Sequence, residues 1–136
     1  MVTLIGMGSG SWEALSVQAQ DAVRRAGLVF GAKRLLAGLP PECTARQFAL
    51  YQPAEILETL AQAPGQDAAV LYSGDTGFYS GASGLLTPLR ALGIPARVYP
   101  GVSSIQLLAA ALGRPWQDWK LVSAHGCACD PVAQCM

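Results

Sequence analysis

The chain has 136 residues, and because 51% of them are hydrophobic and only 13% are charged, its composition fits one domain with a core and argues against disorder. Nine basic residues balance nine acidic residues without a basic stripe or an acidic tail, which argues against a nucleic-acid partner. The apolar runs are far shorter than the ~18 residues of a membrane helix, and the N-terminus has no signal-peptide pattern, so we expect a soluble, cytoplasmic protein with no membrane partner.

The first predicted elements are a strand and a helix. Residues 2–5 form a short β-rich run before the glycines of residues 6–10, which is typical of a buried parallel strand followed by a turn. Residues 12–26 place apolar side chains on one face of a predicted helix. Ser11 is the predicted N-cap of this helix, and Gly27 is placed as the residue that follows its C-cap.

A strand, a glycine-rich turn and a helix also open dinucleotide-binding folds, but the details here do not match. That fingerprint needs the spacing Gly-x-Gly-x-x-Gly, and its third position falls on Ser11 or Glu13. The second predicted strand, residues 28–30, is not followed by the acid that would bind a ribose. A nicotinamide cofactor is therefore disfavoured.

The rest of the chain continues to alternate helices and strands. Pro53 suits the first turn of a helix, Ser103 or Ser104 suits the N-cap of a later helix, and Gly113 suits its end. The predicted helices cover residues 31–36, 53–63, 83–92 and 105–112, and the predicted strands cover residues 44–50, 68–72, 96–99 and 120–123.

This alternation predicts an α/β fold, with a mostly parallel five-stranded sheet and helices on both faces. Three loops with glycines then lie along one edge of the sheet, at the carboxyl ends of strands: residues 6–10, 73–81 and 100–104. The sequence shows no Ser/His/Asp arrangement, phosphate-binding loop or paired carboxylates. We therefore predict a site that holds and orients a ligand without a side-chain nucleophile.

Asp75 is the one acid in the central loop, and two interpretations of it stay open. The carboxylate suits a ligand hydroxyl or amine, but it also suits the N-terminus of the helix that follows.

The end of the chain contains His125, which is the single histidine, and three of the four cysteines. We interpret His125 as a polar residue at a strand end rather than a substrate contact. The cysteine spacing matches none of the usual two-pair zinc patterns, so the sequence predicts no metal site and free thiols at Cys43, Cys127, Cys129 and Cys135.

Three stretches taken together resemble one known family. They are Gly-Met-Gly-Ser-Gly at residues 6–10, Ser-Gly-Asp-Thr-Gly-Phe-Tyr-Ser at residues 73–80 and Pro-Gly-Val-Ser-Ser at residues 100–104. In this order and spacing they resemble the tetrapyrrole (corrin/porphyrin) methyltransferases.

The resemblance implies transfer of a methyl group from S-adenosyl-L-methionine to a ring carbon of a corrin precursor. It also implies two α/β domains with the cofactor in the cleft between them, and a homodimer. The cofactor-binding positions that it implies are Ser9, Ser73, Gly74, Asp75, Phe78, Ser103 and Ser104. Because the macrocycle is rich in carboxylates, Lys33, Arg34 and Arg46 are candidate substrate contacts, and no general base is identified.

The sequence also departs from the family pattern. Ser9 replaces the usual proline of the first loop, and Ser11 stands where an acid can occur, which weakens any role for that loop as a base. Thr76 replaces a frequent proline, and Ile105 replaces a small residue. We expect residues 1–126 to form the N-terminal domain and residues 127–136 to begin a connection to a further domain, so that the chain binds the cofactor weakly and does not turn over alone.

Overall fold

The computed structural model describes residues 1–77 and 80–121. The strands in this part of the chain are β1 (Val2–Gly6), β2 (Leu28–Phe30), β3 (Arg46–Phe48), β4 (Ala68–Tyr72) and β5 (Ala96–Tyr99). The helices are α1 (Val17–Arg25), α2 (Lys33–Leu36), α3 (Pro53–Ala61), α4 (Ala82–Ala91) and α5 (Ser104–Leu112). The chain divides into two compact units, Met1–Ser104 and Ile105–Met136, which are described separately.

The strands form one sheet of order β3-β2-β4-β1-β5, and all of its pairs are parallel. This confirms the predicted fold class. In the register, Gly6 lies opposite Tyr72 of β4, and Ile5 lies opposite Tyr99 of β5. The carboxyl ends of three neighbouring strands therefore meet at one edge of the sheet, which places the loops that follow them side by side.

The three central strands, β1, β2 and β4, are buried on both faces, whereas β3 and β5 at the two edges are partly exposed. Successive side chains of a strand point to opposite faces of the sheet, and helices cover both faces. On one face, Leu4 and Phe30 pack with Leu85 of α4 and with α3. On the other face, Ile5 packs with Val23 of α1 and with α2. All five of these side chains are fully buried, so the two layers hold the sheet edge in a fixed position.

The first predicted helix is shorter than expected, and Ser11 is not its N-cap. A 3-10 turn at Trp12–Ala14 comes first, and the chain is extended at Leu15 before α1 begins. The hydroxyl of Ser16 accepts a hydrogen bond from the Ala19 amide at 3.2 Å, so Ser16 caps α1, whereas the Ser11 hydroxyl donates to Glu13 at 2.8 Å. The prediction for Ser11 was wrong because the extended residue separates the turn from the helix.

Gly27 follows the C-cap of α1, as predicted, but it does not turn the chain in a left-handed conformation. Its amide donates to the Asp67 carbonyl at 2.8 Å, and the chain then enters β2 directly. Pro53 begins α3 as predicted, and β4 and β5 have the predicted bounds, while β3 is shorter than residues 44–50.

In the second unit, α5 ends where Gly113 adopts a positive φ of 64°, as predicted for its closing residue. Leu107, Leu108 and Leu112 of this helix are exposed by 46%, 49% and 56%, so its surface is unusually apolar.

The predicted strand at residues 120–123 lies mostly outside the described residues. The structure also does not describe Phe78, His125, Cys127, Cys129, Cys135 or the predicted division at residue 126. What the sequence predicts for them stays a prediction. Cys43 is a free thiol buried near α1 and α2. Across residues 1–77 and 80–121, no group of three potential ligands could hold a metal ion, and no helix is both long and apolar enough to cross a membrane.

Candidate functional site

The loop after β1 and the loop after β4 are joined through their main chains. The Gly8 amide donates to the Gly74 carbonyl at 3.1 Å, and the Gly74 amide donates to the Gly8 carbonyl at 3.0 Å. The Met7 amide also donates to the Tyr72 carbonyl at 2.7 Å. Gly8 and Gly74 have positive φ values of 58° and 66°, so this paired turn favours glycine at both positions.

The loop after β5 meets the other two loops at a contact that we call the loop junction, formed by Gly6, Gly74 and Gly101. A Cβ atom built on Gly6 would lie 2.6 Å from the Gly101 nitrogen and 2.7 Å from the Gly74 oxygen. A Cβ atom built on Gly101 would lie 2.6 Å from the Gly6 carbonyl carbon and would overlap the Gly74 oxygen. The three backbones are therefore too close to admit any side chain at Gly6 or Gly101.

Asp75 and Thr76 add side-chain links across the loop junction. The Asp75 carboxylate accepts a hydrogen bond from the Gly101 amide through Oδ1 and one from the Gly77 amide through Oδ2, both at 3.1 Å. The buried Thr76 hydroxyl donates to the Tyr99 carbonyl at 3.3 Å. Two successive residues of the β4 loop thus bond to the end of β5 and the loop that follows it.

Asp75 does not cap α4, which was one of its two predicted roles. The helix begins at Ala82 after Gly81, and the Ser80 hydroxyl accepts a hydrogen bond from the Ala82 amide at 3.2 Å. The Asp75 carboxylate is bonded to the Gly77 and Gly101 amides instead.

A predicted substrate residue, Arg34, contacts a predicted cofactor residue, Ser73. The Arg34 guanidinium donates a hydrogen bond to the Ser73 hydroxyl, and both side chains are exposed. Lys33 is exposed on the same short helix, and Ser9 is exposed in the β1 loop. The structure therefore places Ser9, Ser73, Lys33 and Arg34 where a bound molecule could reach them.

The remaining predicted cofactor residues differ in their exposure and position. Ser103 is only 7% exposed, Ser104 is the first residue of α5, and Phe78 is outside the described residues. Sequence reasoning missed the links made by Thr76 and by the Gly101 amide. The threonine at residue 76, where the family pattern often has proline, was the available signal for the first of these links, but it does not identify the bonding partner.

Burial raises the pKa of Tyr72, the last residue of β4, to about 12, so its phenol is neutral at physiological pH. Burial also raises the pKa of the Cys43 thiol, with the nearby Glu42 carboxylate acting in the same direction. A raised pKa disfavours the thiolate, so Cys43 is a poor nucleophile. The predicted absence of a side-chain nucleophile stays a prediction, and the groups at the site edge are suited to holding a ligand by hydrogen bonds and charge.

A cavity of about 450 Å³ lies at the opposite, amino-terminal edge of the sheet, between Leu57, Leu60, Leu92 and Ile94. A smaller cavity of about 270 Å³ lies near Arg25, Asp67 and Arg97. Neither cavity includes a predicted site residue. The hydrogen bonds and the glycine contacts of the loop edge identify it as the candidate site.

Comparison with known proteins decides the family. The model of the tetrapyrrole (corrin/porphyrin) methylases matches residues 1–134, which is nearly the whole chain. The chain belongs to the tetrapyrrole methylase family.

Two relatives show the range of tetrapyrrole methylases that the chain resembles. The cobalt-precorrin-7 C(5)-methyltransferase of Salmonella typhimurium is 34% identical over 128 residues, which cover 93% of this chain and 62% of the relative. The precorrin-6Y C(5,15)-methyltransferase [decarboxylating] of Sinorhizobium sp is 32% identical over 133 residues, which cover 96% of this chain and 32% of the relative. The chain thus spans less than two thirds of the length of either protein.

Two solved tetrapyrrole methylase structures have the same fold. The methyltransferase CobJ has a TM-score of 0.71 and 27% identity, with 84% of this chain and 51% of that chain covered. The uroporphyrin-III C-methyl transferase from Thermus thermophilus, in complex with S-adenosyl homocysteine, has a TM-score of 0.66 and 25% identity, with 90% and 52% covered.

Proposed function

We propose that this chain provides the S-adenosyl-L-methionine-binding part of a C-methyltransferase that acts on a corrin precursor in cobalamin biosynthesis. The observation that carries the proposal is the loop junction, which unites the three loops expected to contact the cofactor into one surface at the carboxyl edge of the sheet. The substrate type we favour is that of precorrin-6Y or cobalt-precorrin-7, since relatives of both names match nearly the whole chain.

The residues at this edge fit the chemistry of the cofactor. S-Adenosyl-L-methionine offers ribose hydroxyls, an adenine, an ammonium and a carboxylate, which need both donors and acceptors. The exposed hydroxyls of Ser9 and Ser73 can act as either. Gly8 and Gly74 carry no side chain, so a ligand can approach the backbone closely there.

The bound cofactor would supply a sulfonium-activated methyl group, so the tasks of the protein are to bind, orient and exclude water. The Gly8–Gly74 hydrogen bonds and the two bonds to Asp75 fix the loops that would hold the cofactor. Because this order exists in the protein itself, little loop entropy has to be lost when the ligand binds.

Arg34 and Lys33 are the proposed contacts for the carboxylates of the macrocycle. Arginine binds carboxylates in a planar, two-bond geometry, and Arg34 is already held at the site edge by Ser73. A homodimer and a cytoplasmic location are part of the same proposal.

Calorimetry of the 136-residue chain with S-adenosyl homocysteine and, in parallel, with NAD tests the cofactor. We expect binding of S-adenosyl homocysteine and no binding of NAD, because the glycine spacing is not that of a dinucleotide fold. The reverse result would favour a nucleotide-binding domain and overturn the proposal.

A non-catalytic ligand-binding module is the second alternative. Transfer of a labelled methyl group to a corrin precursor by the full-length protein separates it from the methyltransferase. Binding of S-adenosyl homocysteine without any methyl transfer by the full-length protein would support the module.

A further inference from the structure

We propose that Asp75 is a positioning residue: its carboxylate fixes the β5 loop (residues 100–103) against the β4 loop (residues 73–77) before any cofactor binds. This role rests on the proposed function, because it is the cofactor that would need the two loops in register. It changes the predicted role of Asp75 from a direct cofactor contact to a residue that acts through the loops.

The hydrogen bonds of Asp75 are the first reason. Each carboxylate oxygen accepts one backbone amide at 3.1 Å, from Gly101 in the β5 loop and from Gly77 in its own loop. Amide bonds to an ionised acceptor are stronger than neutral ones. The bond to Gly77 holds the carboxylate in place locally, so that the bond to Gly101 can act between loops.

The surroundings of Gly101 are the second reason. Its backbone touches Gly6 and Gly74 so closely that no Cβ atom fits, and this contact is kept only while the β5 loop stays against the other two. The Thr76 hydroxyl, which donates to the Tyr99 carbonyl at 3.3 Å, restrains the chain two residues earlier. Asp75 and Thr76 therefore fix the entry to the β5 loop from one side, at two successive points.

Amide hydrogen exchange in the absence of ligand tests the role directly. In Asp75→Ala, we expect exchange of the Gly101 amide to quicken by roughly tenfold or more, because its acceptor is gone. The Gly27 amide, which donates to the Asp67 carbonyl at the other edge of the sheet, should be unchanged. Unchanged exchange at Gly101, or an equal rise at Gly101 and Gly27, would overturn the proposal.

Asp75→Asn provides a second variant in case the alanine variant does not fold. Its amide oxygen can replace only one of the two carboxylate acceptors, and its NH₂ group would face the other amide donor. We expect faster exchange at Gly101, Gly77 or both, and wild-type exchange at both amides would contradict the role. Glu58→Gln removes an exposed carboxylate from α3 and serves as the matched control.

Ligand affinity separates positioning from direct contact with the amino-acid part of the cofactor. S-Adenosyl homocysteine and 5′-methylthioadenosine share the adenosine part, but only the first has the amino acid. A positioning residue predicts that Asp75→Ala weakens both by a similar factor, roughly tenfold. A loss confined to S-adenosyl homocysteine would show a direct contact and overturn the proposal. If neither ligand binds the wild-type chain, the proposed function fails, whereas the exchange result still decides whether Asp75 fixes the loops.

Discussion

Gly8 and Gly74 exchange two backbone hydrogen bonds, at 3.1 Å and 3.0 Å, and so form an antiparallel pair just beyond the end of a parallel sheet. The parallel strands β1 and β4 cannot continue in this geometry, so both chains must turn where they leave the sheet. The positive φ values of the two glycines make that turn without steric cost. The pair leaves Ser9 and Ser73 exposed beside it, which places the predicted cofactor-binding hydroxyls on a fixed backbone.

Gly101→Ala should destabilise the protein strongly. The new Cβ atom would lie 2.6 Å from the Gly6 carbonyl carbon and would overlap the Gly74 oxygen, and these neighbours are backbone that cannot move aside easily. We expect a loss of about 2–3 kcal/mol or more in the free energy of unfolding, measured by urea denaturation. Gly84→Ala is the control, because Gly84 lies in the first turn of α4 and its Cβ atom would make an ordinary contact with Pro53 at 3.7 Å, so this change should not lower stability. Equal stability of wild type and Gly101→Ala would contradict the tight contact.

The sequence predicts the sheet edge better than it predicts the contacts at that edge. The apolar runs at β4 and β5 define their own bounds, and parallel strands necessarily end at one edge, so the meeting of the three loops follows from local pattern alone. The hydrogen-bond partners of Asp75 do not follow from the local sequence pattern. Its bond to Gly101 spans 26 residues, and only the three-dimensional register decides which amide lies within reach.

The predicted N-cap of α1, Ser11, was wrong for a related reason. Ser11 and Ser16 both precede residues with helical spacing, and local propensity does not decide between them. Packing decides which serine caps the helix. Ala19 and Val23 are the residues of α1 that are buried against the sheet, and the helix that buries them begins after Ser16.

Ser16→Ala should therefore cost about 1 kcal/mol of stability, because the Ala19 amide loses its acceptor at 3.2 Å. Ser11→Ala makes the same chemical change at a residue that does not cap a helix, and it should change stability by less than about 0.5 kcal/mol. Thermal or urea unfolding of the two variants measures the difference. A larger loss for Ser11→Ala would mean that the helix begins earlier than the structure shows.

Tyr72 should make the protein less stable at high pH. Burial raises its pKa in the folded state to about 12, above the ordinary value of 10.0, so the unfolded chain loses the phenol proton first. Stability from this group is fully present below pH 10 and decreases as the pH rises from about 10 to 12. Tyr72→Phe removes the titrating group, so its stability should decline less over that range. Parallel curves for the two proteins in urea denaturation at pH 8 to 12 would refute the effect.

Arg34→Gln should weaken binding of the macrocycle without unfolding the protein. The Arg34 guanidinium is held at the site edge by the Ser73 hydroxyl, and its remaining N–H groups are available for a carboxylate. We expect roughly a five- to tenfold loss of affinity for a tetrapyrrole polycarboxylate such as uroporphyrin III, measured by fluorescence titration. Because the side chain is exposed, stability should change by less than about 0.5 kcal/mol.

Lys33→Gln is the matched control for Arg34, since it removes one positive charge from the neighbouring exposed residue of the same helix. If Arg34 acts through its fixed geometry, its removal should cost more affinity than that of Lys33, and the difference should persist at higher salt, where general charge attraction is screened. Equal losses that disappear together in salt would show that the macrocycle responds only to net charge. Unchanged affinity in both variants would exclude this helix as the substrate contact.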